Sequence, residues 1–168
     1  MVPKKMFLTK GLGRDKNKLQ SFEMALRDAG IEKCNLVRVS SIVPPSCKII
    51  KKEDGIKEIT PGMITFCVLC KNQTKKKDET IGAGIGVATS NKKNLHGYVA
   101  EQTAYNEECR KLEKNVEKTA KKMLATTGAI KKEGFMKNNK QTINATQIAT
   151  CKKEGVWTTG VAAAVFII

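Results

Sequence analysis

The sequence predicts an α+β fold in which helices are segregated from a largely antiparallel sheet. Two stretches repeat apolar residues at helical spacing, and six shorter apolar segments bounded by turn residues are typical of strands. The 168 residues, 40% of them hydrophobic and 28% charged, suit a single globular domain covering residues 1–168 rather than a disordered chain.

The first helix is predicted over Lys18–Ala29. Apolar residues fall on one face of this segment, and Gly30 follows as a left-handed stop; the apolar positions are Leu19, Phe22, Ala25, Leu26 and Ala29.

Two strands and two loops follow. Branched residues predict a strand over Cys34–Val39. The chain must end the strand or leave the sheet at Pro44 and Pro45, because proline lacks the N–H that a ladder needs. The continuous apolar run Met63–Cys70 predicts a strand buried on both faces. Polar composition predicts irregular structure for Lys51–Gly62 and an exposed loop for Asn72–Glu79.

The next pair of strands is predicted over Thr80–Ser90 and Leu95–Thr103, joined by a turn at Asn91–Asn94. The first contains Gly82-Ala-Gly-Ile-Gly86, whose spacing is wrong for a phosphate loop and instead indicates close packing.

The remaining elements are a long helix, a basic loop and two strands. The helix is predicted over Asn106–Thr126, and the strands over Thr142–Cys151 and Val156–Ile168 with Gly155 at their turn. The core stripe of the helix comprises Cys109, Leu112, Val116, Ala120, Met123 and Leu124.

The net charge of +15 permits two interpretations. It arises from 31 Lys and Arg against 16 Asp and Glu, which satisfies the first criterion for a nucleic-acid-binding domain. The lysines, however, are scattered in short runs among acidic residues, which favours a solvated surface. A small basic nucleic-acid-binding domain without catalytic activity is therefore the alternative hypothesis.

The two terminal segments predict a cytoplasmic protein that does not enter a membrane. Met1–Lys10 has no apolar run long enough for a signal sequence, and Val156–Ile168 is too short to span a bilayer. The six cysteines are then expected to be reduced thiols. Cys67 and Cys70 should point to opposite faces of a strand, and His96 cannot anchor a metal site alone, so no metal is expected.

Three features outside this pattern could carry chemistry. They are the pair Ser40-Ser41 where a strand meets two prolines, Glu101 in an otherwise uncharged stretch, and Glu23 beside the apolar stripe of the first helix. Taken singly, each feature also has an explanation without function. The serine pair suits a turn, Glu101 suits the solvent-exposed face of a strand, and Glu23 suits the solvent-exposed face of a helix.

Taken together, these residues resemble the pyruvoyl-dependent arginine decarboxylase family. The resemblance spans nearly the whole chain in collinear order, and Asn-Leu-x-Arg-x-Ser-Ser-Ile-x-Pro-Pro is its most specific part; the matching segments are Leu19–Ile31, Asn35–Pro45, Gly97–Glu101 and Gly160–Phe166.

The resemblance implies self-cleavage between Ser40 and Ser41. In the family the second serine attacks the preceding carbonyl, and elimination and hydrolysis then turn it into a covalent pyruvoyl group. Here the products would be a chain of residues 1–40 and a pyruvoyl-bearing chain of residues 41–168. Asn35 matches a processing residue whose amide could donate to the oxyanion.

The resemblance also implies roles for two acids. The pyruvoyl carbonyl would act as the electron sink, without metal or pyridoxal phosphate. Glu101 matches the proton donor, a role suited to a buried carboxyl, and its neighbours Tyr98, Val99 and Ala100 are compatible with burial. Glu23 stands where the family usually has aspartate as the substrate-binding acid, so another basic amino acid remains an alternative to arginine.

The family implies a layered αββα sandwich with helices on the outer faces, assembled as trimers or dimers of trimers with active sites between subunits. The implied reaction converts L-arginine, a small-molecule substrate, to agmatine and carbon dioxide, for polyamine synthesis or proton consumption. This hypothesis requires neither nucleic acid nor membrane as a partner.

Overall fold

A computed structural model describes residues 1–90, 92, 94–127 and 142–168. Its elements follow the order β1 (Lys5–Asp15), α1 (Lys18–Ala29), β2 (Asn35–Arg38), β3 (Ile42–Val43), β4 (Lys48–Ile49), α2 (Lys52–Glu58), β5 (Ile64–Thr74), β6 (Thr80–Ala88), β7 (Gly97–Tyr105), α3 (Cys109–Ala125), β8 (Thr142–Thr150) and β9 (Trp157–Ile167).

The strands form two sheets. Sheet A has the order β2-β5-β9-β1-β4, and sheet B has the order β3-β7-β6-β8. All pairs in sheet B are antiparallel, whereas β2 and β4 add parallel edges to the antiparallel centre of sheet A. The predicted α+β class with largely antiparallel sheets is confirmed.

Three apolar layers hold the sheets and helices together. The inner faces of the two sheets meet in a cluster that includes Val68, Ala164, Ile85 and Val99. Helix α1 covers the outer face of sheet A, and α3 covers the outer face of sheet B through its buried Leu112, Val116, Ala120 and Leu124. The layers are therefore helix, sheet, sheet and helix.

Helix α1 has the predicted bounds because both of its ends are capped. The Asn17 side chain accepts hydrogen bonds from the N–H groups of Leu19 and Gln20. Gly30 takes the left-handed conformation at φ 79° and returns its N–H to the last turn. Leu19, however, is 74% exposed and does not belong to the buried face.

The glycines of β6 allow the close packing that the sequence indicated. A Cβ at Gly86 would lie 2.4 Å from the Val116 carbonyl oxygen, and one at Gly82 would lie 2.7 Å from Leu112. Helix α3 therefore lies directly on the backbone of β6.

Several elements differ from the sequence predictions. Strands β1, β3 and β4 and helix α2 were not predicted, and β5 continues through Asn72–Thr74, which the sequence suggested to be part of an exposed loop. Other bounds shift by a few residues: β7 lies two residues later than predicted, and α3 begins at Cys109 rather than at Asn106. Gly155 adopts φ 75°, as its predicted turn requires.

Two predicted features lie partly or wholly outside the described residues. They are the turn at Asn91–Asn94, of which Asn91 and Lys93 are not described, and the basic loop between Thr126 and Thr142, of which residues 128–141 are not described. None of the described helices is long and apolar enough to cross a membrane.

Candidate active site

The bond between Ser40 and Ser41 lies where the chain crosses from one sheet to the other. Strand β2 belongs to sheet A and β3 belongs to sheet B. The Val39 N–H donates to the Cys67 carbonyl of sheet A at 3.0 Å, and the Val99 N–H of sheet B donates to the Ser41 carbonyl at 2.8 Å. One hydrogen bond on each side therefore holds the linking peptide between two sheet edges.

The carbonyl of Ser40 already has a donor directed at it. The Ile42 N–H donates to the Ser40 carbonyl oxygen at 2.9 Å, which closes a tight turn around Ser41. An N–H in this position can stabilise negative charge that develops on the oxygen during nucleophilic attack. Within the part of the chain that the structure describes, neither serine hydroxyl makes a hydrogen bond, so the Ser41 hydroxyl has no competing partner.

The two prolines explain why the chain stays only briefly in sheet B. Strand β3 has two residues, since Pro44 and Pro45 have no N–H to continue the ladder. The Cys47 N–H donates to the Pro44 carbonyl at 3.2 Å, and Ser46 adopts φ 63°. This turn returns the chain to sheet A at β4.

An apolar pocket of about 410 Å³ borders the crossing. Its lining includes Val39, Ser40, Ile42, Pro44, Phe66 and Phe166. None of the side chains that line this pocket is acidic, so a cationic group inside it would have no side-chain carboxylate from the lining as a partner.

Glu101 lies on β7 and points between the sheets, on the same side as the buried Val99. Its side chain is 42% exposed, and its Oε2 lies 3.5 Å from Nη2 of Arg38. The expectation that apolar neighbours bury this carboxyl is therefore wrong for the single chain. Tyr98 and Ala100 pack on the opposite face toward α3. Strand β3 begins at Ile42, opposite Tyr98, so it does not run alongside Glu101.

Arg38 connects the crossing to Glu101. Its guanidinium donates to the Leu69 carbonyl of β5 at 2.7 Å and reaches Glu101 of sheet B. Arg38 is the last residue of β2 and precedes Ser40 by two residues, so it lies where the chain leaves sheet A. Sequence reasoning missed Arg38 as a site residue, although it lies inside the motif that contains the two serines.

Asn35 does not meet the bond between the serines. It lies at the start of β2, where its Nδ2 donates to the Gly62 carbonyl at 2.9 Å. Ser40 follows five residues later, about 16 Å away along an extended strand. The amide of Asn35 is therefore out of reach of the Ser40 carbonyl within one chain.

Glu23 is also separated from Glu101. It lies on α1, where it accepts a hydrogen bond from Gln20 at 3.1 Å and forms an ion pair with Arg27. Helix α1 covers the outer face of sheet A, whereas Glu101 points between the sheets. One chain thus brings Ser40, Ser41 and Glu101 to the same edge, and it places Glu23 on the far side of sheet A.

The cysteines near this edge are poor nucleophiles and ligands. Burial raises the pKa of Cys47 and of Cys67 to about 11, and it also raises the pKa of Cys70. Their thiols therefore stay protonated near neutral pH. As predicted, Cys67 and Cys70 point to opposite faces of their strand.

The described residues contain no group of three or more His, Cys, Asp or Glu side chains that could hold a metal ion. His96 is half-buried, and its ring meets the edge of Tyr98 with centroids 5.0 Å apart.

Comparison with known proteins identifies the relatives of this chain. The family described as pyruvoyl-dependent arginine decarboxylase matches residues 5–168. A probable pyruvoyl-dependent arginine decarboxylase of Chloroherpeton thalassium is 44% identical over 99% of this chain and 98% of its own length. Pyruvoyl-dependent arginine decarboxylases of Methanococcoides burtonii and Methanosarcina acetivorans are 42% and 39% identical, covering the whole of this chain and 100% and 98% of their own lengths.

Proposed function

The chain belongs to the pyruvoyl-dependent arginine decarboxylase family, and we propose that it cleaves itself between Ser40 and Ser41 to become an enzyme that converts L-arginine to agmatine and carbon dioxide. The observation that supports the proposal is the geometry of this bond. It crosses between the sheets with a donor at the Ser40 carbonyl, and the Ser41 hydroxyl has no hydrogen-bond partner among the described residues.

Self-cleavage begins with attack of the Ser41 hydroxyl on the Ser40 carbonyl, with the Ile42 N–H as the oxyanion donor. The amide is replaced by an ester; elimination then releases the carboxylate of Ser40, and hydrolysis releases ammonia. Ser41, which is half-buried beside the exposed Ser40, becomes a pyruvoyl group. Asn35 is proposed to assist processing, with its amide supplied by a neighbouring copy because its own chain places it too far away.

The two products are expected to remain one folded domain. Residues 1–40 contribute β1, α1 and β2, while residues 41–168 contribute the rest. Strand β1 pairs with β9 through every residue from Lys5 to Asp15. This ladder lies outside the crossing, so breaking the bond between the serines leaves it intact.

The pyruvoyl carbonyl supplies an electron sink for the loss of carbon dioxide from an amino acid. Glu101 is proposed to deliver the proton to the α-carbon from the edge of sheet B. Neither a metal ion nor pyridoxal phosphate has a role in this proposal.

Substrate recognition is proposed to need a second copy of the chain. A guanidinium is held best by a carboxylate, and Glu23 is the proposed partner. Since sheet A separates Glu23 from Glu101 within one chain, a site that uses both acids takes them from two copies. Exposed apolar residues along the same edge support this arrangement, namely Val37, Val39, Ile42 and Ile64. We propose trimers or dimers of trimers.

The state of the cysteines supports a proposed compartment, and the proposed reaction supports two proposed roles in the cell. All six cysteines are unpaired, which suits the reducing cytoplasm. Decarboxylation consumes a proton and yields a polyamine precursor, so either outcome could be its purpose in the cell. The nucleic-acid-binding alternative finds no support among the relatives.

The intact mass of the purified protein under denaturing conditions tests the proposal. We expect two species, one of residues 1–40 and one that starts at position 41 and is blocked at its N-terminus. Carbon dioxide release should be measured with arginine, ornithine, lysine and histidine. A single full-length species in an active preparation would refute self-cleavage, and release from a different amino acid would refute the arginine assignment.

A further inference from the structure

Arg38 presents a cation beside the proposed proton donor. Its two hydrogen bonds, to Leu69 and to Glu101, both use Nη2. A guanidinium has five N–H donors in a planar fork, and the Arg38 side chain is 62% exposed. Within the described part of the chain these are its only hydrogen bonds, so most of its donors are free to bind another group beside Glu101.

The contact between Arg38 and Glu101 is one that a ligand can replace. Its length of 3.5 Å exceeds the roughly 2.7–2.9 Å of a strong charge-assisted hydrogen bond. Both partners are exposed, and exposed ion pairs contribute little stability. The 2.7 Å bond to the Leu69 carbonyl meanwhile keeps the guanidinium at the sheet edge.

The proposed substrate brings a matching anion to this place. An amino acid carries a carboxylate on the carbon from which carbon dioxide leaves, and a guanidinium binds carboxylates through two parallel hydrogen bonds. The proposed proton donor must lie close to the same carbon, and Arg38 is the cation that touches Glu101.

Resting on the proposed function, we propose that Arg38 binds the α-carboxylate of the substrate in place of Glu101. The exchange leaves Glu101 beside the α-carbon without a cationic partner. The product has no carboxylate, so it loses this contact and is released more readily.

The test compares substrate and product in the processed Arg38→Gln enzyme. A charged hydrogen bond lost from the substrate should raise KM for arginine about 10- to 100-fold. The dissociation constant of agmatine, measured by calorimetry, should stay within about threefold, since agmatine lacks the carboxylate that Arg38 binds. kcat should fall far less than KM rises, because the contact is already made in the bound substrate.

Two further variants serve as controls for this comparison. Arg38→Lys keeps the charge without the fork, so it should restore part of the affinity for arginine. Lys5→Gln removes a cation from another surface ion pair, with Glu58 at 2.8 Å, and should leave KM unchanged. Melting temperatures and intact masses of all variants should show folded, cleaved protein.

Three outcomes would overturn the inference. A loss confined to kcat would mean that Arg38 acts through Glu101 alone. Equal weakening of arginine and agmatine would mean that it shapes the pocket rather than binding the carboxylate. An unchanged KM would remove Arg38 from recognition. The proposed function fails separately, if the unmodified protein neither cleaves nor releases carbon dioxide.

Discussion

The β1–β9 ladder and the crossing at Ser40–Ser41 are opposites in the way they constrain the backbone. Strands β1 and β9 face each other from Lys5↔Ile167 to Asp15↔Trp157, and the residues of β9 from Thr158 to Ile167 are buried. The crossing has no ladder of its own, and Ser40 is exposed.

Because of this difference, the proposed cleavage between Ser40 and Ser41 is expected to leave the fold intact. The N-terminal segment is held by the ladder and by the packing of α1, which buries Ala25 and Ala29 against sheet A. The crossing carries little of that stability, so its backbone is available for chemistry.

Ser41→Ala should have the largest effect, because it removes the proposed nucleophile of the crossing and leaves the ladder untouched. We expect no cleavage, no carbon dioxide release and a melting temperature within a few degrees of that of the unmodified protein. Intact mass and an activity assay measure both effects, with Ser90→Ala as the control. Cleavage of Ser41→Ala at the same bond would show that another group attacks it.

Glu101→Gln should separate self-cleavage from decarboxylation, the two reactions that we propose for the crossing. Cleavage should proceed, while kcat should fall about 10²- to 10⁴-fold because general acid catalysis contributes that much. Glu58→Gln removes an exposed carboxylate elsewhere, in the ion pair with Lys5, and is the matched control. Full turnover by cleaved Glu101→Gln would assign the proton to another donor.

Substitution of Glu23 tests whether the active site combines residues from neighbouring copies of the chain. Glu23→Ala should leave cleavage intact and raise KM for arginine about 10- to 100-fold, because a charged hydrogen bond is lost. Co-expression of Glu23→Ala with Ser41→Ala should then restore part of the activity, since a mixed assembly can combine an intact Glu23 with an intact pyruvoyl group. Mixed assemblies as inactive as either variant alone would place the whole site within one chain.

Gly11→Ala should weaken the ladder while leaving the chemistry of the crossing unchanged. A Cβ at Gly11 would lie 2.1 Å from the Ala25 carbonyl oxygen, so α1 must move away from β1. Overpacking of this kind costs about 1–3 kcal/mol. The matched control is Gly160→Ala in β9, where the nearest atom would be 3.5 Å away. Thermal unfolding of the uncleavable Ser41→Ala background measures the difference, and equal stabilities would contradict the close packing.

The sequence predicted elements whose signals are local. Helix α1 was placed with its observed bounds because its apolar spacing and Gly30 act within the segment. Strand β1 was missed because its sequence mixes lysines and glycines with apolar residues, and its glycines serve the approach of α1. Helix α2 was missed because it is polar and contains Gly55, which leaves room for the ring of Phe7.

The end of β5 shows the same limit. Asn72 suggested an exposed loop, yet it is 5% exposed and its amide donates to the carbonyls of Gly82 and Ala104 in sheet B. A buried polar residue that links two sheets has no local sequence pattern, because its partners are far away in the chain.

The sequence by itself determined the family, the fold class and the residues Ser40, Ser41, Glu101, Asn35 and Glu23 as candidates, since a collinear motif is carried by residue order. Only the tertiary structure decided which of them meet. It places the serines at the crossing between sheets, brings Arg38 to Glu101, and keeps Glu23 behind sheet A. The physical reason is that strand pairing and layer packing bring distant segments together. The local sequence of one segment does not specify which other segments it will contact.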